Sequence, residues 1–169
     1  MGASRGLAIA LVKKVPVAQL RPDPIDVLGR LFRLLNRSLP MYLAGADPWR
    51  HPGDEPAAKA LADVVADQRL YAGRIAEAIL RERGRIDQGD YPMEFTELNM
   101  LSFDYLLTEM SRRQKLDIAA IERCVADLAG NLQIQVLAEE VLGNARGHLE
   151  SLQELVKLRR QGNLKLATP

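Results

Sequence analysis

Residues 61–79, LADVVADQRLYAGRIAEAI, bring Leu61, Val64, Val65, Gln68, Tyr71, Ala72, Ile75, Ala78 and Ile79 onto one stripe at three- and four-residue steps. That spacing is the period of an α-helix with a single buried face. Arg69, Arg74, Glu77, Arg81 and Arg83 fall outside it. The helix is bounded by Pro56 and Gly84 and so extends over roughly 42 Å at about 1.5 Å per residue. Such a stripe must be buried against another element, and a composition dominated by Ala, Leu, Glu, Arg and Gln with few aromatics is the profile of helical bundles.

Three further stripes supply those helices. The first opens at RPDPID, where Asp23 can cap amides and Pro24 suits a first turn. It continues through Ile25, Leu28, Leu31, Phe32, Leu35 and Leu39, and Pro40 should kink or divide it near residues 36–40. The third runs through Leu106, Leu107, Met110, Gln114, Ile118, Ile121, Val125 and Leu128. The fourth holds Ile134, Leu137, Val141, Ala145, His148, Leu152 and Leu155. Each of stripes two and three carries one Gln, at 68 and 114, amid apolar neighbours.

The links set the expected topology. GADPWRHPGD (45–54) and AGN (129–131) are short, so helices one and two, and three and four, should be antiparallel neighbours. The 84–101 link has no clean period and can span up to about 60 Å, the length of a bundle. The expected fold is all-α: one bundle over 23–158 with a long crossover between helices two and three. An N-terminal arm (1–22) and a basic C-terminal tail (159–169) flank it.

The balance of 23 Lys and Arg against 22 Asp and Glu offers no field for nucleic acid. One cysteine, Cys124, excludes a disulfide framework within the chain and suits a reducing compartment. GLAIALV (6–12) is too short for a membrane span and wrongly flanked for a secretory signal, so a cytoplasmic location, without membrane contact, is expected. No phosphate loop, G-x-S-x-G or Cys-x-x-Cys occurs.

LADVVADQRLYAGRIAEAI (61–79) and LAEEVLGNARGHLESLQEL (137–155) resemble the second and fourth helices of the ferritin-like superfamily, and the resemblance extends over residues 25–157. It implies a ferritin-like four-helix bundle. Functional members hold two metal ions with one Glu from each of two helices and Glu-x-x-His from each of the other two. Carried over by position, the second-helix pair falls on Gln68 and Tyr71, and the third-helix Glu on Gln114. The fourth-helix pair falls on Ala145 and His148, and the first-helix place lies at or beside Pro40. Only His148 is a ligand type of that set. A neutral Gln, Tyr, Gln and His cannot offset two metal ions in a dry core, so no di-iron centre and no cofactor is expected.

The resulting expectation is a non-catalytic structural or interaction protein that self-associates, most simply as a dimer, since LGRLFRLLNRSLPMYL (28–43) is apolar on more than one side. Gln68, Tyr71, Gln114 and His148 should then close a hydrogen-bond cluster at mid-bundle. The alternative is an enzyme or sensor holding one metal or a small molecule around His148, Tyr71 and Asn144, with Glu140 as a further ligand on the same stripe. Asp63 and Asp67 read as outer-face charges, and Cys124 as a buried inert thiol.

Overall fold

The computed structural model describes residues 22–166, so all of the expected arm but Pro22 lies outside the described residues. The chain is all-α, with five helices among those residues. Asp23 caps α1 (Pro24–Asn36) by accepting the Ile25 N–H at 2.9 Å. The first stripe is divided where Pro40 was expected to act. Ser38 starts a new helix, α2 (Leu39–Ala46), by accepting the Met41 N–H at 3.3 Å. Pro40 sits in the first turn of α2, where its missing donor has no helical acceptor to lose. α3 (Glu55–Arg81), α4 (Phe103–Asp127) and α5 (Leu132–Leu166) complete the set. No described helix is long and apolar enough to cross a membrane.

Two apolar clusters order the helices in space. The first joins Leu28, Leu31 and Leu35 of α1 to Ile75 and Ile79 of α3, Ile121 and Leu128 of α4, and Ile134 and Val141 of α5. The second joins Leu39 and Leu43 of α2 to Leu61 and Val65 of α3, Leu106 and Met110 of α4, and Leu152 of α5. α1 and α5 therefore start at the first cluster, and α3 and α4 at the second. α1 packs on α3 and α4, and α5 packs on the same two helices. The buried polar side chains among the described residues are Ser38, Asp54, Gln68, Ser111 and Gln114.

Segment 82–102 runs from the first cluster back to the second along α1 and α2. It begins where Gly84 lies so close to Ile25 that an added Cβ would stand 2.7 Å from that side chain, which only glycine permits. Asp87 then meets Arg33 at 2.8 Å, and the Gly89 carbonyl accepts from Arg37 at 2.7 Å. Tyr91 packs edge-on against Tyr42 with centroids 5.5 Å apart, and buried Phe95 joins the second cluster. Glu94 ends the course with a 2.7 Å bond from Arg113. Two 3-10 turns, Met93–Phe95 and Leu98–Met100, account for the lost periodicity.

The chain does not leave helix at residue 158, as the expected tail required. α5 continues to Leu166. Its late turns are fastened by Arg159, which donates to Asp54 at 2.6 Å, to the Gly53 carbonyl at 3.1 Å and to Asp104. Asp54 is only 3% exposed, so a full charge pair anchors this part of the helix.

Candidate functional site

The seam positions singled out by the stripes are near one another in the chain's logic but do not share one cluster. Gln68 is buried, and its side-chain carbonyl accepts the Ser38 hydroxyl at 2.6 Å. Gln114 is buried and donates to the Ala145 carbonyl at 3.1 Å. Gln114 thus bonds the backbone at Ala145, both of them positions onto which the resemblance carried metal ligands. Tyr71 packs at the edge of the first cluster, with the Arg74 guanidinium 5.4 Å from its ring centre.

His148 turns to a partner the spacing placed outside. Its Nε2 lies 2.9 Å from Asp67 Oδ2, and Asn144 donates to the same oxygen at 2.8 Å. A carboxylate only accepts, so Nε2 carries the proton in this pairing. Asp67 is beside Gln68 in sequence and its side chain is 40% exposed. The pairing sits at the rim of the helix seam rather than within it. His148 therefore bonds an acid on α3, not Tyr71 or a glutamine. Glu140 is committed elsewhere, to Arg74, whose hydrogen bond holds its carboxyl below the usual range. Among the described residues, no three His, Cys, Asp or Glu side chains gather as a metal cluster.

A larger concavity lies on the other side of α1. The groove between α1, the 82–102 segment and α4 has a volume of about 440 Å³, and none of Gln68, Tyr71, Gln114, Asn144 and His148 lines it. That volume is within the range of small-molecule sites. Its apolar wall is Leu34, Leu39, Pro92, Phe95 and Leu116, and its charged lining is chiefly arginine. Arg30 pairs with Asp127, Arg33 with Asp87, and Arg113 with Glu94 and Glu109. Arg37 and Arg123 meet no carboxylate among the described residues. Arg37 instead bonds the carbonyls of Gly89 and Asn36 and the Gln88 side chain, and lies 4.7 Å from the Tyr91 ring centre.

Asp117 faces this groove with no hydrogen-bond partner among the described residues. Burial pushes its carboxyl up to about 6, against the pull of the Arg113 charge. Cys124 lines the same groove; burial raises its thiol, with the Arg30 charge opposing. It stays protonated at neutral pH, which suits packing rather than nucleophilic attack.

Sequence reasoning passed over Asp117, although one signal was present. It stands three residues after Gln114 and four before Ile121, both buried, so helical spacing puts it at the seam's edge. What spacing could not supply was the crossing segment that shades it from water.

No protein-family model, curated protein or solved structure matches this chain.

Proposed function

We propose that this chain is a ferritin-like four-helix bundle whose di-metal centre has been replaced, and that it works by binding a partner or ligand rather than by catalysis. In this reading α1 and α2 together form the first rod, and segment 82–102 is the crossover between the second and third. The packing of α1 and α5 each on α3 and α4, with α3 and α4 starting at the same end, supports that arrangement. One observation carries the functional half. The two buried glutamines at ligand places have their bonds closed inside the protein, Gln68 to Ser38 and Gln114 to Ala145. A group so satisfied gains nothing by exchanging its partner for a cation.

Elemental analysis of protein purified without chelators tests this. Less than a tenth of an equivalent of iron, manganese or zinc is expected, with no stabilisation on adding ferrous iron anaerobically. Two equivalents of iron would overturn the reading.

A second reading, an enzyme or sensor with one metal or small molecule at His148, draws on the approach of His148 and Asn144 to Asp67. One equivalent of metal, lost in His148→Ala, would favour it. Self-association belongs to the first reading. The second apolar side of α1 and α2, which motivated it, is covered by segment 82–102. Exposed apolar side chains that a dimer could cover remain on α3 (Leu70, Leu80), α4 (Tyr105, Leu116) and α5 (Leu132, Val136). Sedimentation of a monomer at tens of micromolar would remove the dimer from this proposal.

A further inference from the structure

The geometry points to the groove between α1, segment 82–102 and α4 as a binding site for a small organic anion, a carboxylate on an apolar body, with Asp117 as the group that makes binding pH-dependent. This goes beyond the reading above and holds whether or not a metal binds at mid-bundle. Three features of the groove specify the ligand's chemistry.

The first is two guanidiniums that meet no carboxylate among the described residues. Arg37 uses three of its N–H groups on neutral acceptors, leaving two of the guanidinium's five uncommitted. Arg123 makes no ion pair among the described residues and is exposed at the groove's edge. Each is a guanidinium in the groove lining able to meet a carboxylate by charge-assisted hydrogen bonds. The second is the apolar wall of Leu34, Leu39, Phe95 and Leu116 beneath them, which an inorganic ion would leave unused. The third is Asp117, an acid held half-buried without a hydrogen-bond partner among the described residues. Protonated, it can donate to a carboxylate oxygen; ionised, it repels one.

The charged surroundings of Asp117 fix the direction of the effect. Arg30, Arg33 and Arg37 approach from α1, Asp90 from the connecting segment, and Arg113 and Arg123 from α4 itself. Three of these arginines are already balanced by acids. Cys124 is neutral throughout. The remaining variable charge is that of Asp117, so anion affinity falls as pH rises through about 6.

The probe is 1-naphthoate, titrated calorimetrically into the full chain at about pH 5 and about pH 7.5, where the probe is ionised throughout. Naphthalene-1-methanol is the uncharged control. Naphthoate is expected to bind about tenfold or more tightly at the lower pH, because Asp117 is mostly protonated there and mostly ionised at the higher one. Arg123→Glu, at an exposed unpaired position, is expected to weaken binding about tenfold at both pH values. Arg123→Gln gives a smaller loss in the same direction if the Glu variant melts early. Asp117→Asn is expected to retain binding and abolish its pH dependence.

The proposal is overturned by absence of saturable naphthoate binding below millimolar at the lower pH. Equal binding of the alcohol, unchanged affinity in both Arg123 variants, or persistent pH dependence in Asp117→Asn would each overturn it as well.

Discussion

At the scale of single residues, the buried polar side chains are hydrogen-bonded, while half-buried Asp117 has no protein partner among the described residues. Gln68 and Gln114 were legible as buried because helical spacing sets them among Leu, Ile and Met. Their partners were not legible. Ser38 reaches Gln68 only because the chain breaks helix at Arg37, and Gln114 bonds a backbone carbonyl, which no residue pattern announces. Asp67 was misplaced for a related reason: a side chain at the rim can reach His148 while remaining partly in water. Asp117 is the exception, and its cost can be measured. Its folded carboxyl titrates at about 6 against an ordinary 3.8. The folded state therefore holds its proton more tightly than the unfolded one. Stability present at low pH is lost as pH rises between those values, and the loss is complete above about 6. Asp117→Asn should stabilise the protein by about 1–3 kcal/mol at pH 7 and by almost nothing near pH 4. Urea denaturation at both pH values decides this; equal effects would show that burial of the charge is not the cause.

At the scale of elements, the stripes located the long helices well and the ends poorly. Pro40 correctly marked the division of the first stripe. The residue that executes it is Ser38, which both caps α2 and bonds Gln68. Ser38→Ala removes a cap and strands a buried carbonyl oxygen, so a loss of about 2–3 kcal/mol is expected in chemical denaturation. Pro40→Ala, in the first turn, should change stability by less than about 1 kcal/mol. The end of α5 was misjudged because RRQGNLKL is polar and basic, the composition of a solvated tail. A single residue reverses that reading. Arg159 holds the nearly buried Asp54 at the start of α3 and Asp104 at the start of α4, contacts invisible to any local window. A chain ending at residue 158 leaves the Asp54 carboxylate without its cation and should lose about 1–3 kcal/mol. Arg159→Ala should account for most of that loss, and thermal melts of the two variants compare them directly. If the truncation is neutral, residues beyond 158 are the tail their composition suggests.

At the scale of the molecule, link lengths anticipated that a long segment returns along the helices. They could not say which helices it lies on, since that depends on side chains far apart in sequence. Segment 82–102 settles between α1, α2 and α4 because Arg33, Arg37 and Arg113 meet Asp87, Gly89 and Glu94 there. Of its apolar side chains only Phe95 is buried among the described residues; Ile86, Tyr91 and Leu98 pack against the clusters while partly exposed. Exposed ion pairs such as Arg33–Asp87 contribute little each and weaken with salt. The segment is thus held less firmly than the helices it covers, and it forms one wall of the arginine-lined groove. Native-state hydrogen exchange should find amides of 85–92 opening at a free energy several kcal/mol below those of α3 and α4. Raising sodium chloride from about 0.05 M to about 0.5 M should lower that opening energy further while leaving Phe95 nearly unchanged, since its anchorage is apolar. Uniform protection from 82 to 127, insensitive to salt, would mean that the segment opens only with the whole bundle. The groove would then be a fixed surface, open to ligands without any movement of its wall.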